Sequence, residues 1–220
     1  MNTPNVQHKA IGFLFDLDGV IIDSEKEYTR IWTEIDELYP TGVENFSIKI
    51  KGQTLPEILN AHYPEEIHNE IIAQLNKREQ KMHYELLPGA QSLLYYLNEE
   101  SIGRALVTSS NELKMRHLRQ ELPFLEDWFN KVITADHIHK SKPDPEGYLL
   151  ASKLLGVPAN VCVVFEDSLQ GVIAGKSAGC FVVGLTTTLT EDILNPYADM
   201  LVDNLSSVKP EEIIKILKER

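Results

Sequence analysis

The chain has 220 residues, 43% of them hydrophobic and 25% charged, with a formal net charge of -12. That length accommodates one sizeable core and a smaller second unit, and that composition is ordinary for a globular protein without long disordered tails. The negative charge opposes the phosphate backbone of nucleic acid and leaves no polybasic patch for an anionic membrane, so neither partner is expected; a small anionic substrate has to be met by local positive charge or a bound cation.

Taken in chain order, Met1–Ala10 is polar, and no apolar run approaches the ~18 residues of a membrane span, so neither a signal peptide nor an anchor is expected. The first apolar run, Ile11–Phe15, leads into Asp16-Leu17-Asp18-Gly19-Val20. In extended chain Asp16 and Asp18 share a face, and Gly19 lets the backbone turn sharply away. Alone, the pattern serves equally well as a solvated acidic turn.

From Ser24 to about Leu87 no strand pattern is expected. Tyr28, Ile31, Trp32, Ile35 and Leu38 recur at helical spacing, as do Ile67, Ile71, Leu75 and Met82, and Pro40-Thr-Gly and Tyr63-Pro punctuate the block. Pro88-Gly89 closes it before a further helical pattern carrying Leu93, Leu94 and Leu97. Residues 24–88 therefore read as an inserted helical lobe, and Trp32 and Trp128 as core or domain-contact residues.

Beyond the lobe, apolar runs recur at Ala105–Val107, Val132–Ile133, Val161–Phe165, Phe181–Leu185 and Met200–Val202, most of them separated by helical segments. Such alternation predicts an α/β fold with a parallel sheet, in which ligands bind beyond the carboxyl ends of the strands. Several runs end at polar residues. Thr108-Ser109-Ser110-Asn111 offers hydroxyls and free backbone N–H groups to an anion, although an ordinary helix cap has the same composition. His137 and His139 are expected on the surface, since imidazole suits softer metals than carboxylate oxygens do. Lys142 stands among the turn residues of Ser141-Lys-Pro-Asp-Pro, where an isolated lysine is ordinarily just solvated. Glu166 and Asp167, adjacent at a strand end, would repel each other without a cation, and a hard metal would relieve that repulsion. Cys162 and Cys180 lie in apolar runs and read as buried strand thiols, which fits a reducing cytoplasm. There is no internal repeat, Gly-rich nucleotide fingerprint or P-loop.

In this order, Asp16-Leu-Asp-Gly-Val, Thr108, Lys142-Pro-Asp-Pro and Glu166-Asp-Ser, with Gly171 and Ala178-Gly179 downstream, resemble the four motifs of the haloacid dehalogenase superfamily of phosphotransferases. The resemblance runs from Phe13 to about Asp203. It implies a Rossmann-like parallel-sheet core formed by 1–23 and 89–220, with an α-helical cap domain, 24–88, inserted between the first and second motifs. It further implies that Asp16 is the nucleophile, Asp18 the general acid and then base, and that Thr108 and Lys142 hold the transferring phosphoryl. Magnesium would be bound by a carboxylate oxygen of Asp16, the backbone carbonyl of Asp18, and Asp167, with Glu166 assisting. Ser109, Ser110 and Asn111 on the core side, and Lys51, Gly52 and Gln53 on the cap, are the candidate substrate-binding residues.

The expected activity is magnesium-dependent hydrolysis of a small phosphate monoester, a sugar, polyol or glycolate-type phosphate, through an aspartyl phosphate, by a monomer. Asp18 disfavours dehalogenation, because the family members acting on haloacids resemble this pattern without an Asp there. The rival within the family is a sugar phosphomutase like β-phosphoglucomutase, which Asp23-Ser24 and the Lys51-Gly-Gln segment also resemble. Against it, Tyr28 stands where those mutases carry a His, and Leu55 where they carry a phosphate-gripping Arg, although Lys49, Lys51, Lys77 or Arg78 could substitute. Two other classes compete: a phospho-accepting signalling domain, and a non-catalytic protein that keeps the fold without the reaction.

Overall fold

The computed structural model describes residues 11–50, 53 and 55–220. All six apolar runs form strands, and they join one parallel sheet: β1 (Gly12–Phe15), β4 (Gly103–Val107), β5 (Lys131–Ile133), β6 (Cys162–Glu166), β7 (Phe181–Leu185) and β8 (Met200–Val202). The α/β fold with a Rossmann-like core is as expected. The spatial order β5-β4-β1-β6-β7-β8 leaves β1 with β4 on one side and β6 on the other. From β1 the chain builds outward to β5, then returns to build the opposite half. That reversal opens a crevice at the carboxyl ends of β1, β4 and β6, the usual ligand position in open parallel sheets.

Burial on both faces explains the apolar strands. Phe13, Phe15 and Phe165 are fully buried, and Phe15 stacks on Phe165 with ring centroids 4.7 Å apart. Helix α7 (Glu146–Leu155) packs on β1, β4 and β5, and α8 (Leu169–Ser177) on β6 and β7. Helices α5 (Ala90–Glu99), α6 (Glu112–Glu121), α9 (Glu191–Leu194) and α10 (Pro210–Glu219) complete this part of the chain, α5 bringing Leu93, Leu94 and Leu97 inward. Cys162 and Cys180 are buried free thiols, as expected.

Between β1 and α5 the described residues form four α-helices: α1 (Glu25–Leu38), α2 (Phe46–Lys49), α3 (Leu55–His62) and α4 (His68–Glu79). On this segment Ile31, Ile35, Ile71 and Met82 are fully buried, and the Trp32 and Phe46 rings meet edge to face at 6.0 Å. The periodicity located α1 and α4 but not the short α2 and α3. It also placed Leu38 inward, whereas that side chain is 56% exposed at the last turn of α1. Met82 lies beyond the end of α4, reaching the core from the following turn.

One expectation is corrected. The stretch read as strand-free contains β3 (Glu85–Leu86), which pairs antiparallel with β2 (Ile22–Asp23). Two residues are too few to show a period of two. This ribbon ties together the two passages of the chain between the sheet and the helical segment, with Leu87 N donating to Ile21 O at 2.9 Å.

Candidate active site

Asp16 extends β1 by one residue, its N–H donating to Phe165 O on β6 at 3.0 Å. The chain then folds back tightly, with Ile21 and Ile22 N–H both donating to Leu17 O and Gly19 in the left-handed region at φ +72°. A side chain at Gly19 would also strike Asp167, since an added Cβ falls 1.8 Å from its Oδ2. Glycine here thus serves both backbone conformation and close approach. Asp16 and Asp18 leave this turn toward one cavity of about 720 Å³, lined as well by Thr108, Lys142 and Asp167.

Lys142 arrives from the loop before α7, where its peptide bond to Pro143 is cis. Its ammonium contacts Asp16 Oδ1 and Glu166 Oε1, each at 2.5 Å, and donates to Val107 O at 3.1 Å. Burial alone would favour neutral lysine, but these two carboxylates hold its pKa above the ordinary value. Glu166, at the end of β6 and wholly buried, also accepts from Tyr148 OH at 2.6 Å and from the Ser168 hydroxyl at 3.0 Å. Ser168 in turn caps α8 by accepting from Gly171 N at 3.0 Å. Helix α8 therefore starts against the acidic pair.

The carboxylates crowd one another. One oxygen each from Asp16, Glu166 and Asp167 lies within 4.8 Å of the others, and all three residues are buried. Burial raises the pKa of Asp16 to about 7 despite Lys142, with the charges of Glu166 and Asp18 adding to the rise. Asp167 is held well above the ordinary carboxylate range, by burial first and then by Glu166 and Asp16. Three buried carboxylates beside a single ammonium form a set of hard oxygen donors that suits a magnesium ion.

Asp18 has a separate environment. Burial would raise its pKa, but Lys114, with Ser24 and Ser110 adding hydrogen bonds, draws it below the ordinary value. The Lys114 ammonium reaches both Asp18 oxygens at 2.7 Å. Lys114 lies in the first turn of α6, three residues after Asn111, whose side chain caps the helix by accepting from Lys114 N at 3.0 Å. The sequence reading passed over Lys114, because a lysine on an amphipathic helix ordinarily marks its solvated face. Its spacing from Asn111 was the usable signal, for it places the side chain on the turn nearest the strand ends.

The core-side candidates Thr108, Ser109, Ser110 and Asn111 all line the cavity. Thr108 Oγ1 accepts from Ser110 N at 3.0 Å, and Ser110 Oγ donates to Asp18 Oδ2 at 3.3 Å. Gln53 lines the cavity from the helical segment, and Lys51 and Gly52 fall outside the described residues. His137 and His139 are exposed and do not line the cavity; the His137 ring bonds to Thr134. Tyr28, Trp32, Leu55 and Glu79 are among the residues of the helical segment that line it.

Residues 13–185 match the model of the haloacid dehalogenase-like hydrolase family. Hexitol phosphatase A of Escherichia coli is 32% identical over 204 residues, covering 90% of this chain and 92% of its own. A phosphorylated carbohydrates phosphatase of Thermotoga maritima is 31% identical over 215 residues, covering 94% and 97%. Among solved structures, β-phosphoglucomutase from Clostridium difficile superposes with a TM-score of 0.76 at 25% identity, over 96% of this chain and 98% of that one. With the motifs gathered at the switch point of the sheet and this match over most of its length, the chain belongs to the haloacid dehalogenase-like hydrolase family.

Proposed function

We propose that this protein is a magnesium-dependent phosphatase that hydrolyses the phosphate monoester of a small, uncharged polyhydroxylated alcohol through a phospho-aspartate on Asp16. The observation that carries the reading is the convergence of Asp16, Asp18, Lys142 and Asp167 on one cavity walled on its far side by the inserted helices. The curated relatives above, phosphatases of hexitols and of phosphorylated carbohydrates by name, support the same reaction class.

Asp16 attacks phosphorus, forming the acyl phosphate while the ester bond to the alcohol breaks. Asp18, which Lys114 keeps ionised in the free site, takes up a proton as substrate binds and gives it to the departing oxygen, then removes one from the water that attacks the acyl phosphate; inorganic phosphate leaves and Asp16 is regenerated. Lys142, with the hydroxyl of Thr108, steadies the equatorial oxygens of the transferring group. The Glu166 carboxylate holds the Lys142 ammonium at its post. Magnesium would be held by Asp16, Asp167 and the Asp18 carbonyl, with Glu166 assisting, and when bound it supplies the positive charge that draws a dianionic phosphate to a carboxylate. Residues 24–88 act as a cap that encloses the leaving alcohol and excludes water.

The cavity wall favours a phosphatase over a mutase. Tyr28 and Leu55 line it, and among the described residues its only cations are Lys114 and Lys142, both outside the helical segment and both paired with carboxylates. Arg78 is turned away to Glu34 at 2.9 Å, neither Lys49 nor Lys77 lines the cavity, and Lys51 lies outside the described residues. A mutase has to hold a second phosphate, for which a guanidinium or free ammonium is suited. The hydroxyls of Thr29 and Ser47, the amides of Gln53 and Asn76, and the flat Trp32 ring instead suit the hydroxyls and C–H faces of a neutral polyol or sugar.

The test is phosphate release from a panel of hexitol, sugar and carboxylic-acid phosphates with and without magnesium, beside Asp16→Asn. Magnesium-dependent release from the neutral polyol and sugar esters, abolished by the substitution, is the expected result. Conversion of β-glucose 1-phosphate to the 6-phosphate faster than release of phosphate would establish the mutase instead.

A further inference from the structure

Lys114 is buried, with 7% of its side chain exposed, and its ammonium has partners on two parts of the molecule. It donates to Asp18 Oδ1 and Oδ2, both at 2.7 Å, and to Tyr28 OH at 2.9 Å. The Tyr28 hydroxyl donates onward to Glu79 Oε1 at 2.8 Å. The direction of this chain is fixed by chemistry, since an ammonium only donates and an ionised carboxylate only accepts. Lys114 stands on α6, Asp18 follows β1, Tyr28 belongs to α1 and Glu79 to α4. One nitrogen thus joins the acid–base candidate to two helices of the inserted segment.

We propose that Lys114 is the positioning residue for Asp18 and also the fastening by which the helical segment closes over it. A carboxylate gripped at both oxygens is limited in the directions it can face, which a group that must meet first a leaving oxygen and then a water requires. The third donor of Lys114 is satisfied by Tyr28 only while α1 and α4 sit where they do here, so seating of the cap and orientation of Asp18 share one atom. The ammonium also lets Asp18 and Glu79 approach the same wall without uncompensated charge. The inference rests on the phosphatase reading, in which Asp18 handles the proton.

A double-mutant cycle tests it, with kcat and KM measured on the best polyol phosphate for Lys114→Met, Asp18→Asn and the pair. Lys114→Met is expected to lower kcat by ~10²-fold with KM changed less than about 3-fold, and to lower it no further once Asp18 is Asn. Tyr28→Phe leaves the Lys114–Asp18 pair intact and removes the hydroxyl that accepts from Lys114 and donates to Glu79; it is expected to raise KM about 5-fold and to change kcat less than about 3-fold. Multiplying losses in the pair would show that Lys114 acts independently of Asp18 and would overturn the positioning role. An unchanged KM in Tyr28→Phe would overturn the fastening. Should Lys114→Met not fold, Lys114→Arg replaces it in the cycle, keeping the charge while displacing the donor apex, with the same expected loss of kcat. Asp18→Asn with undiminished phosphate release would instead remove the proton-handling role that the phosphatase reading gives Asp18, and no release from the unmodified protein would strike at that reading itself, so the failures are told apart.

Discussion

Lys142 meets three oxygens at once, and its removal should cost more than activity. Asp16 and Glu166 would be left buried without their shared cation, and breaking a buried pair from one side typically costs about 3–5 kcal/mol. Lys142→Ala is expected to lose stability on that scale in urea unfolding, and a loss below about 1 kcal/mol would show that the pocket admits water freely. Asp16→Asn is the opposite case. It removes one of three crowded carboxylates and is expected to leave thermal stability unchanged or raised while phosphate release falls by at least ~10⁴-fold. Finding both substitutions equally destabilising would mean that Asp16 is a structural partner of Lys142 rather than a reactive group held by it. At this scale the sequence was legible wherever a side chain stood at the end of an apolar run, as Asp16, Thr108, Glu166 and Asp167 do, because strand ends in a parallel sheet meet at one edge. Lys114 and Glu79 were not legible. Each lies on a helix among other polar residues, and only the fold shows which of those face inward.

The strands and helices hold this site through close approaches that tolerate little. Helix α8 begins so near β6 that a Cβ at Gly171 would fall 1.8 Å from the Glu166 carboxyl carbon. Gly171→Ala must therefore push that carboxylate away from Tyr148 and Lys142, or lift the first turn of α8 from the strand. Either outcome is expected to destabilise the protein by about 1–3 kcal/mol and to lower activity steeply, as read by urea unfolding and by initial rates. Wild-type rates and stability in that variant would mean that α8 shifts freely and that Glu166 is not fixed by it. The six sheet strands and helices α1 and α4 could be read in advance because burial on both faces, or on one stripe, imposes a pattern. The β2–β3 ribbon and the short helices α2 and α3 carry too few residues for any period, and they form because the neighbouring segments bring their backbones together.

Across the whole molecule, a net charge of -12 makes the acidic cluster a standing liability, and its effect on stability has a definite sign. Asp16 titrates at about 7 in the folded chain against an ordinary value of 3.8, and Asp167 is raised in the same direction. Between those two values the folded protein holds a proton that the unfolded chain has released. Stability attributable to the cluster therefore declines as pH rises through that window, and the full penalty is present above about 7. A divalent cation bound by the same oxygens has to displace those protons at low pH and meets bare carboxylates at high pH. Magnesium is thus expected to raise the melting temperature more at pH 8 than at pH 5.5, and calorimetry in buffers of different ionisation enthalpy should detect protons released on binding at the lower pH. The same melts on Asp16→Asn isolate the cluster from the other acidic groups, since the pH dependence of the magnesium effect should flatten there. An equal magnesium shift at both pH values in the unmodified protein would show that the ion binds elsewhere, and the hard-donor set of Asp16, Glu166 and Asp167 would then have to be explained as a proton-sharing cluster.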